Sequence, residues 1–363
     1  MKLQAKAAVL TSKNAPFEIR KYDVTKPKDG YALMRLAASG ICGTDSHIRS
    51  GKLGEVREQV IGHEFIGKIV DISANDAKAS GLNIGDTVMV YIAISCGECI
   101  LCKNGDEANC VNMGITSAGY PNDPPHFHGG FAEYSYAPMK NLVKVSPGLD
   151  PVATSVFACP GPTTFHAFKL MKQANVRIED VNTAVVQGTG PVGCFAILYL
   201  ASLGVQNIIT VTRTTADHER AKSLGATEVI ALSEKTEEDI VRHVREVTCS
   251  IGADLVFEAS GNPAAIPLGI DLLRNRGVYL IPGQYSNSGG VSIQPQLITF
   301  KALILLGSSQ YDMDDIAEYL SFMQKNKSAQ ELAKSLASCY RVEDINRAFD
   351  DIAARKNIKT ILV

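Results

Sequence analysis

The rhythm of apolar and polar positions changes near residue 155. Before it, short apolar runs such as KAAVL, YALMRLAAS, FIGKIVDIS, DTVMVYIAI and FAEYSYA are cut by Gly, Pro, Asn and Asp. Short strands with frequent turns predict a β-rich barrel or sandwich. The Pro- and Gly-rich stretch 114–130 reads as a long loop. After it, strand-like NTAVVQG (182–188) leads into helix-like PVGCFAILYLASLG (191–204), and NIITVT (207–212) leads into HERAKSLG (218–225). EVIAL, a charged amphipathic stretch at 234–247, ADLVFEAS, helix-like IPLGIDLLRNRG and strand-like VYLIPG continue the series. Alternating strand and helix predicts a doubly wound parallel sheet. The charge run at 234–247 is read as the solvated face of one crossover helix. KALILLGSSQ (301–310) reads as a further strand, apolar enough to be buried on both faces or at an interface. The tail holds two helix-like segments and ends in strand-like KTILV. The expected organisation is therefore α/β plus β. A sheet domain over 160–307 is inserted into a β-rich domain built from 1–159 and 308–363.

Length and composition narrow this only a little. A chain of 363 residues is too long for one core, and 45% hydrophobic with 20% charged residues is an ordinary globular balance. The formal net charge of −2 gives no global pull toward nucleic acid or anionic lipid. No apolar run is long enough for a membrane span, and MKLQAKAAVL lacks the apolar stretch of a signal peptide. The nine cysteines are more informative, because four of them, Cys96, Cys99, Cys102 and Cys110, fall within fifteen residues. A secreted disulfide scaffold would be shorter and denser in Cys, so metal binding in a cytoplasmic protein is expected.

Gly188-Thr189-Gly190-Pro191-Val192-Gly193 is a G-x-G-x-x-G run between an apolar strand and a helix. Gly188 allows the tight turn, Gly190 lets backbone approach a pyrophosphate, and Gly193 permits close helix–strand packing. A dinucleotide site is expected. The next strand should end in an acid if it binds the ribose 2′-OH. It ends instead in Thr212-Arg213-Thr214. A guanidinium matches a 2′-phosphate, and the flanking hydroxyls, that of Thr212 included, could also bond it, so NADP(H) is expected over NAD(H). In the alternative reading Arg213 is a surface residue and Asp217 or Glu219 serves the ribose.

The spacing Cys96-x2-Cys99-x2-Cys102-x7-Cys110 suits a closed, structural zinc tetrahedron. An iron–sulfur run would have a shorter last gap and a Pro after it, where this chain has Val111. A second, scattered group comprises Cys42-Gly43-Thr44-Asp45-Ser46-His47, Gly62-His63-Glu64 and Cys159. Cys and His from separate segments can converge on a three-ligand zinc with an open position, the pattern of a catalytic metal. Cys194, Cys249 and Cys339 are read as packing residues, and His126 and His128 as loop residues.

Taken with Gly129-Gly130-Phe131-Ala132-Glu133-Tyr134, these motifs in this order resemble the zinc-dependent medium-chain dehydrogenase/reductase family of the alcohol dehydrogenase type. The resemblance covers essentially the whole chain. It implies a GroES-like β-barrel catalytic domain and a Rossmann cofactor domain, with the active site between them. It also implies a catalytic zinc on Cys42, His63 and Cys159, with Glu64 near it, and two zinc ions per chain. Thr163 corresponds to a position that touches the nicotinamide, and Lys359 to one that contacts cofactor phosphate. The hydroxyl proton of the alcohol is implied to pass from Thr44 through the cofactor ribose to His47, while Asp45 is read as structural. Pro160 and His166-Ala167 echo the polyol branch, which normally carries Glu where this chain has Cys159. A polyol or sugar dehydrogenase using NAD(H), a zinc-free reductase of the same fold and a non-catalytic dinucleotide-binding zinc protein are the alternatives. The partner is expected to be a small alcohol or carbonyl substrate, and the assembly a homodimer or homotetramer.

Overall fold

A computed structural model describes residues 3–363, so Met1 and Lys2 of the amino-terminal stretch lie outside the described residues. The chain forms two compact units. One comprises residues 1–159 and 312–363, and the other residues 160–311.

The first unit is built on strands β1 (Gln4–Val9), β2 (Glu18–Asp23), β3 (Tyr31–Ile41), β4 (Glu64–Asp71), β5 (Thr87–Val90), β6 (Ala93–Ile94), β7 (Gly114–Ile115), β8 (Tyr134–Pro138) and β9 (Leu142–Lys144). The second carries β10 (Thr183–Gln187), β11 (Asn207–Thr212), β12 (Glu228–Ala231), β13 (Ala253–Glu258), β14 (Leu273–Ile281) and β15 (Ile304–Gly307). The tail returns to the first unit with β16 (Ala337–Tyr340) and β17 (Lys359–Leu362).

In the first unit one sheet runs β16-β17-β3-β4-β5-β9, with β8 also on β3. Long β3 is its spine, pairing antiparallel with β17, β4 and β8. The core beneath includes Phe17, Phe127, Phe131 and Phe349, all buried. Phe17 and Phe349 rings lie 4.9 Å apart, and Phe131 meets both edge-on. The stretch 114–130 is mostly loop, apart from β7 and one short 3-10 turn.

The second unit holds a six-stranded parallel sheet in the order β12-β11-β10-β13-β14-β15. Every residue of central β10 is buried, as expected for a strand covered on both faces. The order reverses between β10 and β13, which creates a crevice at their carboxyl ends. The charged stretch forms a helix over Glu237–Val247 that buries only Ile240 and Val244. It starts later than the charge pattern because Thr236 caps it, its Oγ1 accepting from Asp239 N at 3.1 Å. IPLGIDLLRNRG divides between a helix, Ala265–Leu272, and the start of β14. β15 is a half-exposed edge strand, not one buried on both faces. No helix among the described residues is long and apolar enough to cross a membrane.

Candidate functional site

The scattered ligand group is assembled by the sheet of the first unit. β3 ends at Ile41, and Cys42 precedes a short helix, Gly43–Arg49. Asp45 in its first turn is fully buried. Its Oδ2 accepts from Cys42 N at 2.8 Å, and its Oδ1 lies 3.1 Å from His63 Nδ1. With Nδ1 donating to that carboxylate, the imidazole presents Nε2 to any metal. The structural role expected of Asp45 takes the form of orienting two expected ligands at once. An acid three residues after a helix-capping position was the available signal.

Glu64 opens β4, where register places it opposite Gly40 of β3. Cys159 lies between the helices Pro151–Val156 and Pro160–Gln173. One ligand atom each from Cys42, His63, Glu64 and Cys159 lie within 4.8 Å of one another. Glu64 is fully buried, and the other three are partly accessible. Thr44 Oγ1 is 3.7 Å from Cys42 Sγ, and His47 sits on the same helix, partly buried.

Lys359, expected at a cofactor phosphate, lies within the ligand group. β17 pairs with β3 so that Thr360 faces Ile41, which brings Lys359 to the level of Cys42. Its side chain is 1% exposed, and Nζ lies 2.5 Å from Glu64 Oε2. A buried ammonium must be paired, and this one is paired with Glu64 inside the ligand group. Gly40 keeps room for the pair, since a Cβ there would come 1.8 Å from Glu64 Oε2 and 2.9 Å from Lys359 Cε.

The electrostatics couple these groups. The Cys159 thiol, hydrogen-bonded to Cys42, holds Cys42 well below its ordinary value, and Cys159 is pushed well above its own. Ligation of a divalent cation by both sulfurs would require the Cys159 thiol to lose its proton. Burial opposes charge on His63, but the Asp45 carboxylate and then Cys42 together outweigh it and raise the imidazole well above its usual value. Burial lifts Glu64 to about 7 against the pull of Lys359. Two thiolates, an imidazole and a nearby carboxylate form a donor set that fits zinc.

The four-cysteine lobe folds on itself. Cys96 Sγ accepts from Cys99 N at 3.4 Å, Cys99 Sγ from Cys102 N at 3.5 Å, and Cys110 Sγ from Cys96 N at 3.3 Å. Such N–H donors stabilise thiolates, and Cys99 is lowered to about 6, first by the Cys102 amide. The four sulfurs lie within 4.8 Å of one another, and all nine cysteines are free thiols. His126 stacks on Tyr22 at 4.6 Å and is not in any grouped metal-ligand set among the described residues, nor is His128.

The glycine turn joins β10 to the helix Pro191–Ser202, with Gly190 at its cap and Pro191 in its first turn. Gly188 has φ +98°, and a Cβ on Gly193 would come 2.0 Å from Gly188 O. A Cβ on Gly190 would meet nothing within 4 Å, so this backbone is open to a ligand. Val192 lies in the first turn of the same helix. Arg213 is exposed just past β11. Thr212 is 1% exposed, and its hydroxyl donates to Thr214 O at 2.9 Å. That bond holds the Thr212 side chain inward at the end of β11. Asp217, the alternative ribose acid, is bound to the turn itself through Thr189 Oγ1 at 2.8 Å. Thr163 lies one turn into the helix Pro160–Gln173 and is partly buried. Sequence reasoning missed Glu258 at the end of β13. Its Oε1 accepts from Ser260 N, Ser260 Oγ and Gly261 N at 2.7, 2.6 and 2.9 Å. The fixed Ser260 packs where a Cβ on Gly188 would lie, 2.8 Å from its Cα.

The alcohol dehydrogenase GroES-like domain family matches residues 28–147, and the zinc-binding dehydrogenase family matches residues 191–325. The chain is 30% identical to a 5-exo-hydroxycamphor dehydrogenase of Pseudomonas putida, over 99% of this chain and 98% of that protein. It is 29% identical to a sorbitol dehydrogenase of Halalkalibacterium halodurans, over 95% of each. Among solved structures, an alcohol dehydrogenase from Thermotoga maritima superposes with a TM-score of 0.90 at 25% identity, over 99% of each chain.

Proposed function

The chain belongs to the zinc-type medium-chain dehydrogenase/reductase family and is an oxidoreductase acting on alcohols, and from that premise we propose a zinc-dependent enzyme exchanging hydride between a primary or secondary alcohol and NADP(H). The reading rests on one observation. Cys42, His63 and Cys159 come from segments far apart in sequence, yet their ligand atoms, with one of Glu64, lie within 4.8 Å of one another. Cys42, His63 and Cys159 hold the catalytic zinc, with Glu64 at its flank. Cys96, Cys99, Cys102 and Cys110 hold a structural one.

When bound, zinc supplies Lewis acidity toward the substrate oxygen, and the nicotinamide exchanges hydride with the carbinol carbon. The chain's own residues then position groups and move the proton. Asp45 fixes Cys42 and His63 in the ligating pose. Thr44 Oγ1, close to Cys42, accepts the alcohol's hydroxyl in a hydrogen bond and hands its own proton on toward the cofactor ribose as it takes up that of the alcohol. His47, held below its ordinary pKa by burial and then by Lys52, is neutral near pH 7 and free to receive that proton for release to water. Gly188, Gly190, Pro191, Val192 and Gly193 take the pyrophosphate, and Thr163 the nicotinamide. Exposed Arg213 takes the 2′-phosphate, since β11 ends without an acid.

The half-exposed edge strand β15, near Phe300 at 77% exposure, supports a homodimer joined along that edge. Nine free thiols suit the cytoplasm. The relatives named for hydroxycamphor and sorbitol support an alcohol panel that spans cyclic alcohols and polyols. The test is zinc content of the purified protein together with turnover of that panel on NADP⁺ and NAD⁺. Two zinc ions per chain with NADP⁺-linked oxidation is the expected result. Coenzyme binding without turnover of any alcohol would favour a sensor. Turnover of polyols on NAD⁺ would favour the polyol reading.

A further inference from the structure

A second feature beside the glycine turn bears on coenzyme choice, and it rests on the NADP(H) reading above. The first carboxylate after β11 is Asp217, five residues beyond Thr212. An acid near this place normally accepts a ribose 2′-OH and repels a 2′-phosphate. Here both its oxygens are occupied. Oδ2 accepts from Thr189 Oγ1 at 2.8 Å, and Oδ1 accepts from Arg220 Nη2 at 2.5 Å. The same Nη2 reaches Thr189 O at 3.4 Å. Arg220, Asp217 and Thr189 therefore close a triangle at the second residue of the turn. The ion pair is partly screened from water, with side chains 17% and 28% exposed. Its two charges offset each other, whereas Arg213 is exposed and in no ion pair among the described residues.

We infer that Arg220 is a specificity-determining residue: by sequestering the Asp217 carboxylate on Thr189, it removes the first acid after β11, which would otherwise favour NADH and repel NADPH. Without it, Asp217 keeps one bond to Thr189 and frees an oxygen carrying full negative charge. That oxygen competes with the phosphate for Arg213 and accepts a hydroxyl in its place. Lys at 220 preserves the charge, so it preserves the choice, although it loses the forked geometry.

The experiment titrates NADPH and NADH against wild type, Arg220→Leu, Arg220→Lys, the double variant Arg220→Leu/Asp217→Asn, and Arg213→Ala. Binding is followed through the fluorescence of the reduced nicotinamide, and the thermal midpoint of each variant is recorded. Arg220→Leu should raise the ratio Kd(NADPH)/Kd(NADH) by about tenfold or more, as like charges brought together do. Adding Asp217→Asn should return the ratio to near its wild-type value, and Arg220→Lys should leave it there. Arg220→Leu weakening both coenzymes alike, or no recovery in the double variant, overturns the inference and makes Arg220 only a brace of the turn. The parent reading fails separately, if wild type prefers NADH and Arg213→Ala costs both coenzymes equally. The ratio change on Arg220→Leu is decisive whichever coenzyme the wild type prefers.

Discussion

The two cysteine-containing sites of the first unit are built in opposite ways. Cys96, Cys99, Cys102 and Cys110 lie within fifteen residues, and their own backbone N–H groups stabilise the sulfurs. Cys42, His63, Glu64 and Cys159 depend on strand register, an acid shared between two ligands and a buried ion pair with Lys359. The first donor set is uniform and closed, as a structural metal requires. The second mixes sulfur, nitrogen and oxygen and is surrounded by groups whose protonation responds to one another. A local loop is sufficient to hold an ion, whereas chemistry at an ion needs neighbours that the fold supplies.

The sharpest way to break this contrast is a pair of substitutions. Cys159→Ala should remove the catalytic zinc and lower turnover by ~10³-fold or more, in keeping with the several kcal/mol a metal's charge is worth. The four-cysteine zinc should stay, so metal analysis should read one ion per chain. Cys99→Ala should do the reverse, losing the lobe's zinc and lowering the thermal midpoint while the other zinc remains. Undiminished turnover in Cys159→Ala with one zinc per chain would dissolve the distinction. Thr44→Val should leave folding and both metals intact and cut turnover by ~10²-fold, the scale of a lost proton acceptor; full activity would remove Thr44 from the relay.

Smaller effects sharpen the account of the supports. Asp45→Asn leaves the side chain in place but removes the charge beneath His63. It should weaken metal retention at the scattered site about 10- to 100-fold in a chelator competition and leave the four-cysteine zinc untouched. Equal loss from both sites would mean general unfolding. His47 gives the smallest effect. Its pKa lies below 6.5, from burial first and Lys52 second, with Cys42 opposing. It is therefore neutral at pH 7 and loses its accepting role as pH falls through the folded value. The sign for stability is the same, because the neutral form is the one burial favours. That contribution is present above the unfolded pKa and is lost on the acid side. His47→Gln should reduce turnover by about tenfold or less and flatten the acid limb of the rate profile. An unchanged profile would show that the proton leaves by another route.

Much of this was legible in the chain itself. The parallel sheet follows from NTAVVQG, NIITVT and ADLVFEAS alternating with helical stretches, because a period of two and a period of 3.6 leave different marks. The glycine turn was legible because only glycine tolerates φ +98° at Gly188 or a neighbour 2.0 Å from the Cβ position at Gly193. Three contacts were not legible, for one reason. The register of β17 against β3 sets Lys359 beside Glu64. The end of β11 turns the Thr212 hydroxyl to Thr214 O. The helix after Cys42 brings Asp45 to both Cys42 N and His63 Nδ1. In each case the contact depends on which way a strand or helix end points a side chain.

Sequence alone determined the fold class, the turn and the four-cysteine lobe, since each is specified by residues close together whose spacing already satisfies the geometry. Only the tertiary structure decided which charges meet: Lys359 with Glu64, Asp45 with His63, and Arg220 with Asp217 on Thr189. Coulomb energy and desolvation depend on separations of a few ångströms, and across distant segments strand register and packing fix those separations.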